Sequence, residues 1–287
     1  MANAPWRSSW VMAGGIKTHY TEAGDDGPPV VLLHGGGPGS SGAAGWRFMI
    51  PDLSPHFRVY APDQVSFGYT DMSDPAAWPH NGIQSLVDHV AAFVDAICLD
   101  TFCLVGNSQG AYVAAKYALD HPTRVSKLFL IGSATIAGAM GVPPMMTPGM
   151  KALIEYDGTE KKMREFLEAI VTDHSTVTDD LVKSRNDAYN LPGVPEATKI
   201  FGEVRSKLVS DPNLNQRYSL EGRLNRLTIP TKFIWGAEDK FAPPELAHQF
   251  QDKIPNIPIE FVEDAGHQVQ TDKPEIVNKM VIDFCKD

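Results

Sequence analysis

Gly106-Asn107-Ser108-Gln109-Gly110 separates an apolar run, Phe102 to Val105, from a stretch, Ala111 to Leu119, whose spacing predicts a helix ending before His121-Pro122. A strand-to-helix turn this tight forces its central serine into a strained conformation. It also brings neighbouring chain so close that flanking side chains must be nearly absent. The serine hydroxyl then projects from the sheet edge, and the new helix offers its unsatisfied N–H groups to a developing oxyanion. That is the setting of a nucleophile elbow.

Outward from this turn, further short apolar runs end in glycine, proline or a charged residue: Val30 to His34, Phe57 to Pro62, Leu128 to Ile131, Thr231 to Trp235 and Ile259 to Val262. Helical spacing occupies Ser85 to Leu99 and Pro274 to Phe284. Strands apolar on both faces that alternate with helices predict a doubly wound, mostly parallel α/β core. From about 137 to 214 the texture changes to prolines, four methionines and charged helical stretches. The division expected is a core of 1–136 and 215–287 with a helical lid at 137–214. The methionines Met140, Met145, Met146 and Met150 either line an adaptable apolar pocket or fill core gaps.

The chain has 287 residues, 43% of them hydrophobic, and a formal net charge of −10 with scattered basic residues. This excludes the electrostatic footprint of a nucleic-acid or anionic-membrane binder and leaves small molecules as partners. Cys98, Cys103 and Cys285 have no metal-ligand spacing, and their odd number and wide gaps argue against a disulfide framework. Met1 to Trp10 lacks a signal-like apolar run, and no stretch reaches the length of a membrane span. A cytoplasmic protein without metal or cofactor is expected, with a homodimer as the default assembly.

A serine hydroxyl needs a base in hydrogen-bond reach and a carboxylate to hold the base's tautomer. Gly236-Ala237-Glu238-Asp239 and Gly266-His267 each follow a predicted strand, giving the order serine, acid, histidine. Ser108, Asp239 and His267 are therefore the expected catalytic residues, with Glu238 as rival acid and His34 as rival base. Gly35-Gly36-Gly37-Pro38-Gly39, after the Val30 to His34 strand, supplies a second set of backbone donors. Gly36 and Gln109 are the expected oxyanion hole. The same glycines do not read as a phosphate cradle, because no Gly-Lys-Ser/Thr ending follows and Pro38 lacks an N–H.

With these residues assembled, the chain resembles the α/β-hydrolase superfamily over nearly its whole length. The run His34 to Gly39, together with Gly106-Asn107-Ser108 and Gly110, is similar to the meta-cleavage product hydrolases. The resemblance implies an eight-stranded sheet and carbon–carbon bond hydrolysis in 2-hydroxy-6-oxo-hexa-2,4-dienoates, through enol-to-keto conversion and attack by Ser108. It further implies that Asn107 and the lid's Arg185 contact the anionic dienoate, with Gly37, Phe48 and Gln268 also at the substrate. Gln268 stands where the family often has tryptophan, and Phe48 where it often has asparagine. A carboxylesterase or lactonase using the same triad, a cofactor-free haloperoxidase and a slow-turnover small-molecule receptor are the alternatives.

Overall fold

The computed structural model describes residues 5–286. Eight strands form one sheet: β1 (Arg7–Ala13), β2 (Ile16–Ala23), β3 (Pro29–Leu33), β4 (Arg58–Pro62), β5 (Phe102–Asn107), β6 (Val125–Ile131), β7 (Thr231–Gly236) and β8 (Ile259–Val262), in the order β1-β2-β4-β3-β5-β6-β7-β8. β1–β2 and β2–β4 pair antiparallel, and every later pairing is parallel. Every residue of β5 is buried, as a strand covered on both faces requires.

Helices cover both faces of this sheet. Ile83–Ala96 and Gln109–Asp120 bury Leu86, Val90, Phe93, Tyr112 and Tyr117 against one side. Pro274–Lys286 buries Val277 and Val281 on the other, against Trp46, Phe129 and Ile234. The antiparallel hairpin β1–β2 extends the sheet beyond the parallel part. Its turn is Gly14-Gly15, both at positive φ, which suits a two-residue hairpin connection.

Between β6 and β7 the chain leaves the sheet and builds short helices, among them Pro148–Ile154, Glu160–Ala169, Asp179–Tyr189, Val194–Ser206 and Pro212–Tyr218. Threonine or aspartate side chains cap several of their N-termini: Thr147, Thr159, Thr178 and Asp211 each accept a backbone N–H from the first turn. A separate apolar cluster of Met163, Phe166, Leu167, Ile170 and Val182 holds the first three together. The four methionines divide. Met140 is fully buried in the core, Met145 and Met146 are exposed, and Met150 lines the cavity at Ser108.

One expectation from the cysteines is corrected. Cys103 and Cys285, 182 residues apart, are joined in a disulfide that ties β5 to the C-terminal helix, while Cys98 is free. Sequence distance misled here because β5 is central and the last helix lies across it. Among the described residues no helix is long and apolar enough to cross a membrane.

His89 gives the core a pH dependence. Its Nδ1 accepts the Val65 N–H at 3.2 Å, so Nε2 carries the proton and donates to Thr18 Oγ1 at 2.7 Å. The neutral ring is thus satisfied at both nitrogens, and burial pushes its pKa down to about 4. Because the folded pKa lies below the unfolded value, the unfolded chain binds the proton more tightly. Stability is full above about pH 6.5 and falls as pH drops towards 4. We expect unfolding free energy in urea to fall by about 2 kcal/mol from this residue between pH 6.5 and pH 5. His89→Gln should flatten that slope, and an unchanged slope would remove His89 as its source.

Candidate active site

The C-terminal ends of β3, β5, β7 and β8 discharge the four loops that meet at Ser108. At the end of β5 the chain turns into Gln109–Asp120 with Ser108 at φ 57° and ψ −120°. Two contacts hold this conformation. Ser108 N–H donates to the Ile131 carbonyl at 2.9 Å, and Ser133 Oγ donates to the Ser108 carbonyl at 2.6 Å. A side chain at Gly106 would stand 2.3 Å from the Gly110 carbonyl oxygen, and one at Gly110 would stand 2.2 Å from that of Leu33. The elbow therefore tolerates no β-carbon at either flank.

His267 Nε2 lies 2.8 Å from Ser108 Oγ, and its Nδ1 lies 2.7 Å from Asp239 Oδ2. Asp239 and His267 are both buried. The other carboxylate oxygen, Oδ1, accepts the N–H groups of Phe241 at 2.8 Å and Ala242 at 2.7 Å, which fixes the carboxylate plane. Phe241 then packs on the imidazole with ring centroids 4.5 Å apart. This geometry lets His267 take the serine proton while Asp239 holds the tautomer and the imidazolium.

Both rivals are engaged elsewhere. Glu238 accepts the Ala265 N–H at 2.9 Å and so braces the loop before His267. His34 donates from Nδ1 to the Gly35 carbonyl at 2.8 Å and accepts the Gln64 N–H at Nε2. Burial lowers its pKa, and its ring shapes the glycine turn.

A second hydroxyl–imidazole–carboxylate row shows how little the three groups mean alone. Ser8 Oγ lies 2.6 Å from His19 Nε2, whose Nδ1 lies 2.8 Å from Asp63 Oδ2. Ser8, however, sits in edge strand β1, away from any helix N-terminus, and Asp63 also binds the Gly42 and Tyr69 N–H groups. Its task is to fasten the turn after β4.

Opposite the elbow, the glycine loop after β3 brings Gly35, Gly36 and Gly37 to the cavity. Gly36 lines it from the loop after β3 and Gln109 from the first turn of the Gln109–Asp120 helix. Asn107 lines the same cavity, but its Nδ2 donates to the Ile131 and His267 carbonyls at 3.3 and 3.2 Å. Only its carbonyl side is open to a ligand. Gln268 is buried in the lining, with Oε1 accepting from Thr271 Oγ1 at 3.1 Å. Phe48 corrects an expectation: it lies outside the lining, 39% exposed, with the Arg47 guanidinium 4.5 Å from its ring centroid.

Arg185 reaches the cavity from Asp179–Tyr189 and is only 3% exposed. Nε and Nη2 donate to the Pro38 carbonyl at 3.1 and 2.7 Å, and Nη2 also donates to Ser40 Oγ at 2.9 Å. Among the described residues no carboxylate pairs with it, and its charged neighbour is another cation, Arg47. Burial lowers its pKa to about 9, which still leaves it cationic at neutral pH. Among the described residues Nη1 donates to no partner. A side chain at Gly37 would meet the Phe166 ring at 2.7 Å, and one at Gly39 would meet the Arg185 carbonyl oxygen at 1.7 Å. The glycines thus leave room for the two helices that carry Phe166 and Arg185.

Sequence reasoning passed over Ser133, Phe166, Phe241 and Arg205, all at or beside the cavity. Phe241 carried a signal. An aspartate two residues ahead of a backbone donor is the pattern of an Asx turn, which also orients the acid.

Sheet order, elbow, and the Ser108–His267–Asp239 chain together define an α/β serine hydrolase. The family model for the alpha/beta hydrolase fold matches residues 28–274. A 2-hydroxy-6-oxo-2,4-heptadienoate hydrolase of Pseudomonas putida is 34% identical over 275 residues, covering 96% of this chain and 94% of that protein. A 2-hydroxy-6-oxononadienedioate/2-hydroxy-6-oxononatrienedioate hydrolase of Paraburkholderia xenovorans is 30% identical, covering 94% and 91%. The solved meta-cleavage product hydrolase from Pseudomonas fluorescens is 30% identical with a TM-score of 0.77, and 96% of each chain is covered. The chain belongs to the α/β-hydrolase fold family and, within it, to the meta-cleavage product hydrolases, enzymes that cleave carbon–carbon bonds.

Proposed function

We propose that the protein hydrolyses the bond between C5 and C6 of a 2-hydroxy-6-oxo-hexa-2,4-dienoate-type ring-cleavage product. The observation that carries the reading is Arg185, a buried guanidinium beside Ser108 with no acid partner and one edge uncommitted. In a chain of net charge −10, such a cation is the local feature that admits a planar carboxylate. The relatives named above act on such carboxylates.

Arg185 and the carbonyl side of Asn107 hold the dienoate's polar end, with Gly37 and Gln268 closing over it. His267 assists the transfer of the enol proton to C5, because only the keto form lets the electrons of the breaking bond leave as an enolate. Ser108 Oγ then attacks the C6 ketone as its proton passes to His267. The amides of Gly36 and Gln109 hold the oxyanion. Collapse breaks C5–C6, the dienolate takes the proton, and water releases the acyl group from Ser108 as a carboxylic acid.

Incubation with a yellow dienoate and, separately, a neutral aryl ester tests this directly. Loss of dienoate absorbance, with equal appearance of the acid and a 2-hydroxy-2,4-dienoate, is expected. Ester hydrolysis with an unchanged dienoate spectrum would instead make the protein a carboxylesterase.

A further inference from the structure

The cavity at Ser108 measures about 50 Å³, room for a few waters but not for a whole dienoate with its acyl side chain. A second chamber of about 340 Å³ adjoins it, in the range of small-molecule sites. Gln109, Thr135 and Arg205 line both, so the two spaces meet beside the nucleophile. The chamber lies between the Gln109–Asp120 helix and the lid helices Val194–Ser206 and Pro212–Tyr218. At the junction Gln109 is 6% exposed, and its Nε2 has no hydrogen-bond partner among the described residues. A buried unpaired amide of this kind points to a ligand acceptor.

The walls and rim differ in chemistry. Tyr112, Phe201 and Leu214 supply apolar wall, while Arg205, Lys207 and Arg217 bring three cations to the lining. Among the described residues none of the three forms an ion pair or donates a side-chain hydrogen bond to a carboxylate. The single acid between positions 205 and 217 is Asp211, whose Oδ1 is spent on the N–H groups of Asn213 and Leu214. Arg205, Lys207 and Arg217 are exposed and stand at the chamber's rim, with Arg205 at the junction with the Ser108 cavity.

We propose that this chamber is the subsite for the acyl half of the substrate and that Arg205, supported by Arg217, selects side chains ending in a carboxylate. The assignment rests on the dienoate reading above and adds to it the chemistry of the far end. A substrate so held is anionic at both ends, Arg185 taking one and Arg205 the other, with the scissile bond between them.

The test compares two dienoates that differ at the far end: 2-hydroxy-6-oxonona-2,4-dienedioate, which releases succinate, and 2-hydroxy-6-oxonona-2,4-dienoate, which releases butyrate. One charge-assisted contact corresponds to a preference of about 10- to 100-fold in kcat/KM for the dioate. Arg205→Gln should bring the ratio near one, Arg205→Glu should invert it, and Arg205→Lys should restore part of it. A wild-type ratio near one, or a ratio indifferent to all three variants, overturns the assignment. The same acyl groups presented as 4-nitrophenyl succinate and 4-nitrophenyl butyrate repeat the comparison without a carbon–carbon bond. If neither dienoate is cleaved, the dienoate reading has failed, and the ester ratio alone decides whether Arg205 selects a carboxylate.

Discussion

Ser108→Ala is expected to lower dienoate cleavage by about 10⁴-fold or more while leaving the fold intact. Oγ is the atom 2.8 Å from His267 Nε2, and removing it leaves the imidazole with nothing to deprotonate towards the ketone. Alanine accepts the φ of 57° about as poorly as serine does, so the elbow's strain is unchanged. The variant keeps Arg185, Asn107 and His267. It should therefore still bind the dienoate and shift its spectrum by converting enol to keto, without releasing acid. Stopped-flow absorbance alongside product analysis reads both steps. Cleavage surviving above about one part in a hundred would exclude Ser108 as the nucleophile.

Arg185→Gln is expected to reduce kcat/KM for the dienoate by about 10- to 100-fold, the equivalent of one lost charge-assisted contact through Nη1. Turnover of a neutral aryl ester should change by no more than a few-fold. The comparison is needed because Arg185 also donates to the Pro38 carbonyl and Ser40 Oγ, so any variant disturbs the glycine loop. Arg185→Lys separates the two effects: it keeps the charge but cannot hold the Pro38 carbonyl and Ser40 Oγ while also reaching the ligand, and it should recover only part of the dienoate rate. Equal losses on dienoate and ester would mean that Arg185 serves the loop and not the substrate.

The parallel strands could be read from the sequence because each is an apolar run cut off by glycine, proline or charge, and the catalytic constellation because each member follows one of those runs. The hairpin β1–β2 was not read. Its outward residues, Trp10 and Met12, are large and exposed, so its pattern lacks the uniform apolarity that marks the buried strands, although Gly14-Gly15 was its signal. Phe48 and the Cys103–Cys285 bond failed for a common reason: both depend on how distant segments stack, which local periodicity does not encode. Arg205 was hidden among other lid cations. What distinguishes it from Lys183, paired with Asp187, or Arg164, paired with Asp179, is that among the described residues it forms no ion pair.

The contact between the Gly37 to Gly39 backbone and the Arg185 helix also limits how this enzyme can be re-engineered. Phe166 and Arg185 occupy volume that exists only because two loop positions lack a β-carbon. A lid transplanted from a relative would bring its own side chains to that seam, and a loop carrying alanine there would hold the native lid off. Loop and lid are therefore one exchangeable unit, and a chimera that respects the boundary between sheet and insertion but splits this pair should fold with its cavity ajar.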